Sequence, residues 1–415
     1  MSKLAHRSFF WLLSDVFVYL LGIITLVFIA RFMGPEAIGL LGLATGFLAF
    51  FSFIPTLGLD SAHQKFFAED KTDKKRALGT FIFLKLILII VYISIVCIVL
   101  YVPEVFGFPF FTSYQKKIIL IILISRVIFH LTKIQKSTFV AAETPSKHQL
   151  VLIANKLSLD LIQISVALLG YGVIALSTAY VLGELVALII CLYMFRNFSF
   201  SLPSKDYIKK YMSYGIPLFA ITLLSSINEG IDKILIYAFN DVNQVAFYEV
   251  GVKLSFLFLM FRSAVSPVIF PLMSRYHSIN NLSRIKRLSN LSEKYLAIIG
   301  TPLLFFALLY SNELIEIVLG SEFIKASSIF RILLILSYLR MIFTSYLINL
   351  AATGHPYLVG KIGLFVTVLN IILSILLIPE SILGVVLFDY GALGAAIATF
   401  LAASIGIIIH IYFSI

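Results

Sequence analysis

The chain has 415 residues, of which 60% are hydrophobic and only 13% charged, against about a quarter charged in an ordinary soluble domain. So much apolar surface excludes a water-soluble fold, and the formal net charge of +11 invites a nucleic-acid reading that the placement of the charges removes.

A helix needs about 20 mostly apolar residues to cross about 30 Å of hydrocarbon. Twelve segments meet that requirement, near 9–32, 38–58, 79–101, 118–140, 149–170, 173–195, 213–238, 246–273, 294–311, 329–352, 359–378 and 391–413. The ninth is the shortest. The first is too long for a signal peptide and lacks a small-residue cleavage site. The 38 Phe and 20 Tyr suit a lipid-facing surface with aromatic residues at its interfaces. Cys97 and Cys191 sit inside apolar runs near opposite faces and read as small core residues.

Numbering the loops from a cytoplasmic N-terminus puts twenty Lys and Arg on the inner side, from Lys3 and Arg7 through Lys71, Lys133 and Lys136 to Lys361. The outer loops hold three, Lys116, Lys117 and Lys325. This asymmetry predicts cytoplasmic N- and C-termini in a multi-pass protein of the cytoplasmic (inner) membrane. The basic charge then serves orientation and anionic lipid, and no nucleic-acid partner is needed.

Three turns recur in the same order. Arg31 to Gly39 matches Ala238 to Ala246, Ala141 to Pro145 matches Ala351 to Pro356, and Tyr171-Gly172 matches Tyr390-Gly391. The pattern predicts two six-helix halves, residues 1–200 with helices one to six and 201–415 with helices seven to twelve. Six is even, so the halves would be related by an axis along the membrane normal with a cavity between them.

Phe28 to Glu69 resembles the first two helices of the Wzx-type polysaccharide flippases of the multidrug/oligosaccharidyl-lipid/polysaccharide exporter superfamily. The Gly34-Pro35-Glu36 turn with Ile38-Gly39 is close to a family element. Asn312 to Leu333, Thr353-Gly354, Asn370, Ile378-Pro379 and Gly391 to Thr399 are similar to later family segments. The resemblance implies an all-α integral membrane fold of twelve helices in two lobes, V-shaped as in MATE transporters. It implies a cargo of polyprenyl-pyrophosphate-linked oligosaccharide, such as an O-antigen or other lipopolysaccharide repeat unit, moved from the inner to the outer leaflet, with polysaccharide polymerase machinery as a further partner. Lipid II flippases carry an Arg-Asp pair where this chain has Thr25 and Leu26, which argues against a peptidoglycan precursor.

Such cargo needs cations for phosphate and polar groups for sugar. A charge inside a span costs about 2.5–3.5 kcal/mol on insertion scales and by default faces a cavity or a partner. Arg126, His130 and Lys133 follow i, i+4, i+7 spacing on one helical face. Arg262 and Arg340 are also deep; either binds phosphate or pairs with Asp160 or Glu184. The expected head-group residues are therefore Arg126, His130, Arg262 and Arg340. The expected ion-coupling residues are Asp160, Glu184, Glu229 and Asp232, although Glu229–Lys233, Glu249–Lys253 and Lys156–Asp160 also have the spacing of plain ion pairs. Lys85, near an inner span end, reads as a snorkelling lysine. Asp15 lacks an evident partner.

Neither a catalytic set, a metal-ligand spacing nor a cofactor motif is visible. Two rivals remain. A multidrug or cationic-metabolite antiporter would want an acidic cavity, whereas deep basic residues here are at least as numerous. A membrane glycan polymerase or ligase would want a substantial outer loop, and the outer loops are short.

Overall fold

In hydrocarbon, backbone N–H and C=O groups must pair within the chain, and a long apolar run does so as a helix. The computed structural model describes residues 2–69 and 73–414. Lys71, and the side chains of Lys3, Arg7 and Asp15, lie outside the described residues. The helices are α1 (Ser2–Phe50), α2 (Phe53–Thr56), α3 (Leu59–Ala68), α4 (Lys74–Val105), α5 (Ser113–Ala141), α6 (Pro145–Leu168), α7 (Val173–Phe195) and α8 (Lys205–Phe239). Then follow α9 (Val242–Ser255), α10 (Leu257–Ser278), α11 (Leu282–Leu309), α12 (Ser311–Leu319), α13 (Ala326–Ile342), α14 (Thr344–Ala352), α15 (Pro356–Leu377) and α16 (Gly391–Ser414). The strands β1 (Ser381–Ile382) and β2 (Val385–Val386) form a small antiparallel hairpin between α15 and α16.

Among the described residues, eight helices are long and apolar enough to span, or ten when the bent pairs α9–α10 and α13–α14 each count once. The first expected span and most of the second are carried together by α1, which breaks at Gly34, the second continuing into α2, and another is carried by the 35-residue α8. The twelve expected segments are mostly helical, with breaks at Phe51-Ser52 and Leu57-Gly58 in the second, at Phe256 in the eighth and at Phe343 in the tenth. Gly34 has φ 73°, a conformation open to glycine, and Pro35 restarts the helix behind it. The ninth span changes most, since α11 begins at Leu282, well before the expected 294. Its first turns are basic (Arg284, Lys286, Arg287), so an apolar ruler misses them. The Asn281 side chain nevertheless caps them by accepting from the Arg284 N–H at 3.2 Å.

The chain divides into two compact units, one of Leu40–Ile231 and one of Met1–Gly39 with Asp232–Ile415. In Leu40–Ile231 the core is built from Phe67, Leu78, Phe139, Val151, Cys191 and Phe195, and from Leu59, Phe66, Phe81, Ile134 and Tyr211. A Cβ at Gly183 would sit 3.0 Å from Leu159 Cβ, so glycine sets the closeness of α6 and α7. In the other unit Ile269, Met273, Ile285 and Ile348 pack together, and Gly39 lies directly against the Val242 carbonyl. There Arg31 donates to the carbonyls of Ile317 and Val318, filling acceptors that the C-terminal end of α12 leaves open.

One turn recurs in both units. After α5, Glu143 is left-handed (φ 56°) and the Thr144 N–H reaches back to Phe139 O at 2.9 Å. After α14, Gly354 is left-handed (φ 90°) and the His355 N–H reaches Leu350 O, also at 2.9 Å. Both are Schellman-type stops, and each precedes a helix that begins with proline. The third pair of matched turns differs. Leu169 to Gly172 is a short stop of the same type, with Gly170 left-handed (φ 70°) and the Tyr171 N–H on Val166 O at 3.1 Å, whereas the β-hairpin lengthens the corresponding connection between α15 and α16.

Candidate functional site

The Leu40–Ile231 unit gathers charge from three helices. Leu57 (φ 37°) and Gly58 (φ 67°) turn the chain between α2 and α3, which puts Asp60 in the first turn of α3. Asp60 Oδ1 lies 2.7 Å from Lys85 Nζ on α4, and Oδ2 lies 3.1 Å from Lys133 Nζ on α5. Lys85 also donates to the Pro55 carbonyl at 2.8 Å. The Lys85 side chain is 0% exposed, which corrects the snorkelling expectation: its ammonium turns inward because a carboxylate and a carbonyl await it there. One turn beyond Asp60, His63 bonds the Tyr211 hydroxyl at 2.8 Å and the Thr138 hydroxyl at 3.0 Å, with its ring stacked on Phe81.

The stripe on α5 is present but not uniform. Arg126 is half-buried, Lys133 is bound to Asp60, and His130 is buried between Tyr92 and Phe129 with neither ring nitrogen in a hydrogen bond. Lys136, read as an inner-loop charge, is buried in α5 beneath the Phe129 ring and within electrostatic reach of Glu184. Glu184 faces Arg126 as well. Asp160 is bound to Lys156 at 2.8 Å. The sequence offered Arg262 or Arg340 as their partners; within this unit each carboxylate already meets a cation.

Those two arginines belong to the other unit, where Arg340 is within reach of Arg262, Asp232 and Tyr248. Asp232 is buried. Its Oδ2 accepts from the hydroxyls of Tyr248 at 2.6 Å and Thr399 at 3.2 Å, and its Oδ1 from Ser374 at 3.4 Å. Asn370 donates to the Thr399 oxygen at 3.1 Å. Three helices, α9, α15 and α16, thus bring hydroxyl donors to one carboxylate of α8. Lys233 contacts Glu249 at 2.7 Å, and Glu249 also holds Lys253 at 3.2 Å. The expected Glu229–Lys233 pair gives way, because the tight turn after α8 brings α9 and Glu249 alongside Lys233; Glu229 is exposed. The expected Glu249–Lys253 and Lys156–Asp160 pairs are present.

Sequence reasoning missed Asp60, His63 and the hydroxyl donors to Asp232. Asp60 and His63 carried a signal, since an acid and an imidazole three residues apart in one helix share a face. Thr399, Ser374 and Tyr248 carried none, because hydroxyls are tolerated anywhere in a span.

Many spanning helices with charge buried among them define a multi-pass membrane protein of the exporter fold. The solved structure of lipid II flippase MurJ in an inward closed conformation superposes with a TM-score of 0.78 at 16% identity, covering 97% of this chain and 86% of that one. The inward-facing structure of a multidrug resistance MATE family transporter of the MOP superfamily gives 0.74 at 15% identity, covering 96% and 93%. Residues 28–328 match the polysaccharide biosynthesis protein family, and the chain belongs to it. The "Probable low-salt glycan biosynthesis flippase Agl15" of Haloferax volcanii is 29% identical over 182 residues, 44% of this chain and 37% of that protein. The chain spans about half or less of the length of the curated relatives it matches.

Proposed function

We propose that the chain is a flippase that carries a polyprenyl-pyrophosphate-linked oligosaccharide from the inner to the outer leaflet by alternating access. The supporting observation is the surplus of basic charge inside Leu40–Ile231. Lys85, Arg126, Lys133, Lys136 and Lys156 outnumber Asp60, Asp160 and Glu184 there. Each such charge is costly in a membrane, and an unbalanced excess of cations suits an anionic head group. Arg126 and His130 are its leading contacts in that unit, and Arg262 and Arg340 in the other. The relatives named as flippases support the same reading.

The protein would act in the cytoplasmic membrane with both termini inside, as two six-helix halves, delivering cargo to polysaccharide polymerase machinery such as that of O-antigen assembly. It would make and break no covalent bond. Asp232 is the coupling residue of this reading: a buried carboxylate among hydroxyls offers oxygen ligands to a proton or a small monovalent cation, as Asp160, Glu184 and Glu229, paired or exposed, do less well. That same cage favours the second reading, a cation-coupled multidrug antiporter.

Reconstitution in liposomes decides between them. A labelled pyrophosphate-linked oligosaccharide is expected to become accessible on the opposite leaflet, at a rate raised by a cation or proton gradient. Dissipation of a drug gradient with no movement of the glycan lipid would sink the flippase reading.

A further inference from the structure

Asp60 bridges two ammonium groups on different helices, with one oxygen on each. That is how a phosphate would sit between the same two lysines. Lys85 is sealed, whereas the Lys133 side chain is 32% exposed, so the cluster opens on the Lys133 side. Beside it lies His130, 2% exposed, with both ring nitrogens unbonded and within electrostatic reach of Lys85, Lys133 and Arg126. A neutral imidazole carries one donor and one acceptor, and burying both without partners is unfavourable. The site therefore holds a carboxylate in its centre and an unused imidazole at its side. Asp60 also stands between two features of the backbone. Just before it are the consecutive left-handed residues Leu57 and Gly58, and one turn after it His63 is tied to Tyr211 and Thr138.

We infer that Asp60 is an internal stand-in for the cargo phosphate: its carboxylate occupies the seat between Lys85 and Lys133 until a diphosphate head group displaces it. The incoming group takes the two lysines and gains Arg126 and His130 as further donors, while the Leu57–Gly58 turn lets the first turn of α3 withdraw. This inference rests on the flippase reading and adds a basis for selectivity. A monoanion that evicts Asp60 replaces one negative charge with another. A diphosphate brings more charge and more acceptor oxygens to the same cations, so exchange favours it.

The probe is inorganic pyrophosphate, titrated by calorimetry into the full chain in lipid nanodiscs, with inorganic sulfate as comparison. Asp60→Asn is expected to bind pyrophosphate at least tenfold more tightly than the native chain, and sulfate by a similar factor, because the internal competitor that either anion must displace is gone. Unchanged or weaker pyrophosphate binding by a folded Asp60→Asn protein overturns the inference. Should that variant fail to fold, the native chain is treated with a lipid-soluble carbodiimide, and modification of Asp60 is read by peptide mass spectrometry. Pyrophosphate is expected to raise labelling several-fold by freeing the carboxylate from its lysines; protection or no change overturns the inference. Glycan flipping by the native chain is scored separately, so a working flippase that fails these measurements loses only the stand-in role.

Discussion

In Leu40–Ile231 two buried aspartates are met by ammonium groups, Asp60 by Lys85 and Lys133 and Asp160 by Lys156. In the other unit Asp232 is met by the hydroxyls of Tyr248, Thr399 and Ser374. The same side chain at similar burial thus has two kinds of surroundings. Ammonium partners cancel its charge and fix it as an ion, so such a site exchanges one anion for another. Around Asp232 hydroxyls donate to both carboxylate oxygens, while Arg340 and Lys233 act on it electrostatically. A helical framework with recurring turns therefore supports two chemistries, decided by whether lysine or a hydroxyl stands opposite the acid.

Substitutions can break this contrast, beginning where the cost is greatest. Lys85→Ala leaves Asp60 with a single partner and opens a void, so thermal unfolding in nanodiscs should report a loss of about 3–5 kcal/mol. A loss well under that would mean the lysine is not needed to hold the acid. Arg126→Ala should lower the initial rate of glycan-lipid flipping about tenfold with an unchanged melting profile, a ratio equal to roughly 1.4 kcal/mol; normal flux would remove it from the site. Asp232→Asn keeps the hydroxyl cage but not the charge, and should abolish the several-fold stimulation by an ion gradient while downhill flipping continues. Persisting stimulation would place coupling elsewhere. Thr399→Val removes one donor to Asp232 and should cost about 1 kcal/mol in the same melting assay, with Ser374→Ala, at its longer contact, costing less. Lys210→Ala, at an exposed pair with Glu69 whose side chains are each 42% accessible, should change stability by under ~1 kcal/mol. A larger loss there would show that surface pairs carry more than the buried contrast assumes.

The spans and their turns were legible because their causes are local. An apolar run of sufficient length has one stable form in lipid, and Gly34-Pro35 or Thr353-Gly354 can be read as stops from backbone chemistry alone. The basic start of α11 was not, since Arg284 and Arg287 look like loop on an apolar scale. The candidate site was legible in residue type but not in pairing. Sequence places Lys85 near a span end but cannot say which way its ammonium turns, and that depends on Asp60, twenty-five residues earlier on another helix. Lys233 had a well-spaced partner in Glu229, yet it took Glu249 because a neighbouring helix offered a closer one. Arg126 and His130 stood out because charge and imidazole are rare in such company; the hydroxyls around Asp232 are not.

The division of the chain has a consequence for synthesis. Met1–Gly39 packs with Asp232–Ile415, and all of Leu40–Ile231 intervenes between them. At about 5–20 residues per second, the ribosome leaves Met1–Gly39 without its later partners for about 10–40 s. The Leu40–Ile231 unit can assemble in that interval, whereas the other waits until Asp232–Ile415 has been made. Conditions that slow insertion of the later helices should therefore expose the N-terminal segment to membrane proteases well before they endanger the middle of the chain.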